Sequence, residues 1–143
     1  VVTWTATDTS GNSVSETQLI SVQICGNSPS YYNFIMGTVE DDFLTGTSLP
    51  DLIFGEGGDD IIIGNNGNDC IFAGEGNDIV FGNSGDDIIT GGQGNDIVKG
   101  DSGDDILKGG IGLDMIDGGD DIDRCIIIDE QNNDLIVKCE VNE

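Results

Sequence analysis

The chain has 143 residues, with 28 acidic side chains, 4 basic ones and no histidine, for a formal net charge of −24. Phosphate binding needs a basic surface, so this balance excludes nucleic acid as a partner. The missing histidine removes a Ser/His catalytic dyad, and acids scattered at this density would read as a solvated, disordered polyanion.

Residues 1–24 open with Val1-Val2-Thr3-Trp4-Thr5-Ala6-Thr7-Asp8-Thr9-Ser10-Gly11-Asn12-Ser13, followed by loose alternation from Val14 to Ile24. Thr and Val enrichment on either side of Asp8–Asn12 predicts two strands joined by a turn. The motif T-A-T-D-x-S-G-N resembles the closing hairpin of a hyalin-repeat (HYR) module, an immunoglobulin-like sandwich of extracellular and adhesive proteins. The resemblance covers only the last two strands of such a module. A lone hairpin is marginally stable in water. Either the rest of a sandwich has been cut away, or the hairpin completes a neighbouring subunit by strand addition and so builds a fibre. Residues 25–36 form a linker and N-terminal cap, in which Tyr31, Tyr32 and Phe34 are expected to cover the open first coil.

Through residues 37–126 an aspartate recurs every nine residues: Asp42, Asp51, Asp60, Asp69, Asp78, Asp87, Asp96, Asp105, Asp114 and Asp123. Two residues after each stands Leu44, Ile53, Ile62, Ile71, Val80, Ile89, Val98, Leu107, Ile116 or Cys125. Five residues before each stands a glycine, with Ala73 the exception, and a second glycine precedes the aspartate by two at Gly58, Gly67, Gly76, Gly85, Gly94, Gly103 and Gly112. The unit is G-x-x-G-x-D-x-U-x, with U aliphatic. It is too short for a capped helix, and glycine in a helix costs about 1 kcal/mol each. A tight turn plus a three-residue strand fits. The glycines supply backbone angles closed to other residues, and Asn or Asp before the key aspartate (Asp59, Asn68, Asn77, Asp86, Asn95, Asp104) tolerates the left-handed region. Two units make one coil, successive coils stack in parallel, and the U residues lie between two sheets. The predicted fold is all-β, a parallel β-roll with two nonapeptides per coil.

In such a roll the aspartates fall into two columns with same-edge neighbours eighteen residues apart, one from Asp42 to Asp114 and the other from Asp51 to Asp123. Coil spacing brings them to roughly 5 Å, where carboxylates repel. A hard divalent cation that takes six to eight oxygens at about 2.3–2.6 Å turns that repulsion into cohesion. The expected ligands are the ten aspartates and the backbone carbonyls of Gly55, Gly58, Gly64, Gly67, Gly76, Gly82, Gly85, Gly91, Gly94, Gly100, Gly103, Gly109 and Gly112. Up to about eight ions fit, which would bring the charge to roughly −8. The first two turns lack the second glycine and the last carries Asp121 in its place, so the best sites are expected within 55–114.

The nonapeptide over residues 37–126 resembles the hemolysin-type calcium-binding (RTX) repeat family. The resemblance implies a right-handed parallel β-roll, calcium as the ion and secretion to the outside of the cell. The Cys125…Cys139-Glu140 ending is similar to that of secreted bacterial members of the group. Folding is then expected to depend on calcium: a disordered chain at micromolar calcium, a solenoid at millimolar.

Four cysteines, an even number, suit an oxidising compartment. Cys125 and Cys139 flank the end of the repeat and Cys25 precedes its start, so the expected pairs are Cys25–Cys70 and Cys125–Cys139, each stapling an end of the roll; reduced thiols or another pairing are the alternative. Residues 127–143 form the disulfide-bonded C-terminal cap, with Asn133-Asp134-Leu135-Ile136 echoing the repeat without its glycines. No CxxC or Cys/His cluster points to zinc, no EF-hand loop aligns, no Asn-x-Ser/Thr sequon occurs, and no apolar run is long enough to span a membrane. The missing signal peptide fits a mature product or a fragment.

The function expected is a secreted or cell-surface calcium-binding structural module that rigidifies an adhesin, surface protein or fibre, with neighbouring domains or other copies as partners. The alternative is the calcium-dependent secretion and folding segment of a larger enzyme or toxin. No catalytic residues are expected in these 143 residues, because the acids are accounted for as ligands. A third class, ice binding, would need Thr or Asn ladders. The position before U instead carries Ile61, Ile79 and Ile97 on one outer face and Ile88 and Ile106 on the other, which strand propensity explains.

Overall fold

The computed structural model describes residues 2–7, 13–18, 25–126 and 134–141. Strands β1 (Val2–Thr7) and β2 (Ser13–Gln18) pair antiparallel, from Val2 opposite Gln18 to Thr7 opposite Ser13, as a separate two-stranded sheet. The rest is built from β3 (Asn33–Met36), β4 (Phe43–Thr45), β5 (Asp51–Gly57), β6 (Ile61–Asn66), β7 (Cys70–Glu75), β8 (Ile79–Ser84), β9 (Ile88–Gln93), β10 (Ile97–Ser102), β11 (Ile106–Ile111), β12 (Met115–Asp120), β13 (Arg124–Cys125), β14 (Leu135–Val137) and β15 (Glu140–Val141). Odd strands from β3 to β15 form one parallel sheet and even strands from β4 to β14 the other, each strand lying beside the one two ahead in sequence. This is a parallel β-solenoid of the β-roll kind.

Register follows from the repeat. Ile62 lies beside Val80, and Val98 beside Ile116, so every U residue stacks on the U residue eighteen positions away. Ile53, Ile62, Ile71, Val80, Ile89, Val98, Leu107, Ile116 and Cys125 are 0–1 % exposed and, with Ala73, fill the space between the sheets. Burial of one such side chain contributes about 1.5–3 kcal/mol, a thin interior for every nine residues ordered. The isoleucines before U point outward but are shielded by their own row: Ile79, Ile88, Ile97 and Ile106 are half-buried, and only Ile61, near the end of its row, reaches 38 % exposure.

The roll is longer at both ends than the nonapeptide run. Residues 33–36, expected within a linker and cap, form the strand β3, with Ile35 beside Ile53 and Asn33 beside Asp51. Phe34 does not close the open end: it stands beside Leu52 in the register and is more than half exposed, with its ring 5.8 Å from that of Phe54, which stacks at 5.2 Å on Phe72. Tyr32 donates its hydroxyl hydrogen to the Cys25 carbonyl, 3.3 Å away. At the other end β14 and β15 add one rung to each sheet. Disulfides join Cys25 to Cys70 and Cys125 to Cys139. No helix among the described residues is long and apolar enough to cross a membrane.

Left-handed backbone falls at glycines, as expected, but not at the Asn and Asp residues before the key aspartates, which would tolerate it. It occurs just after the first glycine, at Glu56, Asn65, Asn83 and Asp101 (φ 75 to 79°), and at the second glycines. Asn and Asp at 59, 68, 77, 86, 95 and 104 serve through their side chains: each Oδ1 accepts a hydrogen bond from the backbone N–H eighteen residues on, as from Asn77 to Asp59 (2.7 Å) and from Ile122 to Asp104 (3.0 Å).

Candidate metal centre

Each turn aspartate is fixed by the strand that follows it, so parallel stacking of the strands stacks the carboxylates too. Asp51 and the eight later members are 0–3 % exposed; Asp42, at the first rung, is partly buried. From Asp51 onward one carboxylate oxygen of each is held from the coil below: Asp60 N–H donates to Asp78 Oδ1 (2.9 Å), Asp69 to Asp87 (2.7 Å), Asp87 to Asp105 (2.8 Å), and so along both columns. The other oxygen, Oδ2, is buried without any hydrogen-bond partner in Asp60, Asp69, Asp78, Asp87, Asp96, Asp105, Asp114 and Asp123. A buried anionic oxygen left unpaired costs several kcal/mol unless a cation compensates it.

The glycines make room for that oxygen. A Cβ on Gly64 would lie 2.5 Å from Asp69 Oδ2 and 2.7 Å from the Gly82 carbonyl oxygen of the next coil, so a side chain there would fill the space where the two oxygens approach. Gly55, Gly82, Gly91 and Gly100 repeat the arrangement, with the carbonyl of Ala73 serving above Gly55; at Gly109 the nearest group is Asp114 itself. The second glycines form their own columns. At Gly76 (φ +129°) a Cβ would strike the Gly58 carbonyl, and the same holds for Gly85 on Gly67, Gly94 on Gly76, Gly103 on Gly85 and Gly112 on Gly94. Among the described residues no three Cys, Asp or Glu side chains converge on one point. Each gap offers carboxylates from two coils, so a cation needing six to eight oxygens must draw the others from these carbonyls.

Electrostatics sharpen the demand. Burial pushes the Asp87 carboxyl up to about 8 and those of Asp69, Asp96 and Asp105 up to about 7, with neighbouring carboxylates adding to the effect and backbone N–H donors opposing it. Asp60, Asp78, Asp114 and Asp123 are raised for the same leading reason.

The model of the RTX calcium-binding nonapeptide repeat matches residues 36–69, 45–80, 63–98 and 90–125. The chain belongs to the RTX calcium-binding repeat family. A search of the curated proteins finds no match. The RTX turns fit the ion their family binds, since the unpartnered Oδ2 atoms and the glycine-lined spaces supply hard oxygen donors and little else.

Three features of the RTX columns escape the nine-residue pattern. Asp134 extends the first column: its Oδ1 accepts from Asp114 N–H at 3.0 Å, across twenty residues rather than eighteen. Cys139 stands in register over Asp123, where a further aspartate would be, and its sulfur is bonded to Cys125. Asn33 occupies the aspartate position below Asp51 and donates its amide hydrogen to Asp51 Oδ1 at 2.7 Å. The echo of D-x-U in Asp134-Leu135-Ile136 and Asn33-Phe34-Ile35 was the available signal in two of these cases.

Proposed function

We propose that this chain is an extracellular structural module that folds as calcium enters its turns and gives stiffness to a longer surface protein, adhesin or fibre. The observation that carries the proposal is the set of buried, unpartnered carboxylate oxygens stacked in two columns. Without a cation the roll must either protonate these groups or bury their charge against like charge in the next coil. With calcium the same groups become the bond between coils, and cohesion no longer depends on an interior of one aliphatic side chain per repeat.

The compartment follows from the chemistry. Extracellular calcium modules work at roughly 10⁻⁴–10⁻³ M calcium, and the two disulfides persist where the milieu is oxidising. The role is structural and not catalytic, since the turn acids serve as ligands and the chain has no histidine. Phe34, Met36 and Phe43 on the first rungs and Ile122 and Leu135 on the last are 54–67 % exposed, and offer apolar surface at both ends to a neighbouring domain or another copy.

Titrating calcium into the chelator-treated protein while recording far-UV circular dichroism tests the proposal. Strand signal that grows with calcium is expected. A strand signal already complete in excess chelator would overturn it.

A further inference from the structure

The ten turn aspartates do not all present the same chemistry. Asp42 and Asp51 sit in their columns as the others do, their N–H groups donating to Asp60 Oδ1 and Asp69 Oδ1 at 2.8 Å. Their Oδ2 atoms, however, are taken. Asp42 Oδ2 accepts from Thr38 N–H (2.6 Å) and the Thr38 hydroxyl (2.9 Å), and Asp51 Oδ2 accepts from Thr47 N–H (2.6 Å) and the Thr47 hydroxyl (3.1 Å). Each hydroxyl in turn accepts a backbone N–H, from Glu40 and Leu49 at 3.2 Å. A metal ion entering either turn would have to displace two donors from the one oxygen it needs, and Thr38 and Thr47 lie at the surface, already matched to that oxygen.

The local reason lies in one position. Residues just after the first position of the repeat adopt positive φ in the later turns, at Glu56 and Asn65 (both 79°) and at Gly74 and Gly92 (128° and 135°), whereas Thr38 and Thr47 do not. A β-branched residue is strongly disfavoured there, so threonine selects a turn in which its own amide and hydroxyl face the aspartate.

The far end differs again. Asp134 supplies a carboxylate above Asp114, whose Oδ2 is buried without a partner. Above Asp123 stands Cys139, tied up in its disulfide, so the gap beside Gly118 holds the Asp123 Oδ2 and the Lys138 carbonyl but one carboxylate fewer than the gaps beneath it.

We infer that the two metal columns are unequal and begin above the first coil: one runs from Asp60 to Asp134, the other from Asp69 to Asp123, and Thr38 and Thr47 replace the ion below them. That makes four gaps in the first column and three in the second, hence seven ions. The inference rests on calcium being the ion, as proposed above.

Native mass spectrometry of the calcium-saturated chain counts the ions. The expected count is seven, unchanged in Asp42→Asn and Asp51→Asn and lower by one in Asp134→Asn. An ion lost from either of the first two variants, or a full count in the third, overturns the inference. Anomalous scattering from a calcium-loaded crystal gives the same answer with no substitution: density is expected between Asp114 and Asp134, and density between Asp42 and Asp60 would sink the idea. A chain that binds no calcium at all would refute the proposed function itself, whereas ions in the first coil would leave that function standing and remove only this inference.

Discussion

Stripped of calcium, the roll should be favoured by acid, the reverse of what paired surface carboxylates give. Burial raises Asp87 to about 8 and Asp69, Asp96 and Asp105 to about 7, from 3.8 in an unperturbed chain. The folded, metal-free state therefore holds protons that the unfolded chain releases. The stability these groups contribute is fully present below about pH 3.8 and is lost as pH rises through about 7 to 8. Each group protonated only in the folded state gives a slope of about 1.4 kcal/mol per pH unit. Four of them give about 5 kcal/mol per unit through mildly acid pH, comparable within two units to the whole stability of a small domain. The assay is far-UV circular dichroism of calcium-stripped protein from pH 5 to pH 8 in calcium-free buffer. More strand signal is expected at pH 5 than at pH 8, and calcium added at pH 8 should restore it. A strand signal that stays level or grows from pH 5 to pH 8 would refute the claim that calcium relieves buried carboxylates.

Other perturbations probe the scaffold. Ile71→Ala empties a fully buried interior position and should cost about 2–5 kcal/mol; because folding and binding are linked, it appears as a higher calcium midpoint, and an unmoved midpoint would mean that the interior and the turns are uncoupled. Gly94→Ala places a Cβ at φ +131° against the Gly76 carbonyl, with a cost of about 1–3 kcal/mol or more, read as the same kind of shift. Replacing Cys125 and Cys139 together by serine opens a loop with a sequence separation of 14 and should remove about 3 kcal/mol. Urea denaturation at saturating calcium checks this, and a midpoint equal to that of the parent chain would contradict it.

The roll was legible because its chemistry repeats. Glycine five before each aspartate and an aliphatic residue two after it leave only one stacking that buries all the U positions together. The ends were less legible because they use different residues for the same roles. Asn33 replaces an aspartate without a glycine-bearing turn before it, and Asp134 follows Asp114 by twenty residues, so neither falls in the nine-residue frame. The role of the residue before each aspartate was less legible for a subtler reason: Asn and Asp favour both left-handed backbone and side-chain capture of a backbone N–H, and at Asp59 and Asn77 the second role is the one used. Thr38 and Thr47 look like ordinary loop filler until their bonds to Asp42 and Asp51 are seen.

The two hydrogen-bond ladders at each edge have opposite polarity. Asp60 N–H reaches up to Asp78, while Asn77 N–H reaches down to Asp59. An interior coil is thus interchangeable with its neighbours, and one could be spliced in or out with every bond re-formed to the next. The currency of such growth is eighteen residues. An odd nonapeptide would swap the sheets downstream, bringing the Asp134 ending over the column that now finishes at Cys139. Lineages of this architecture should therefore lengthen in even steps.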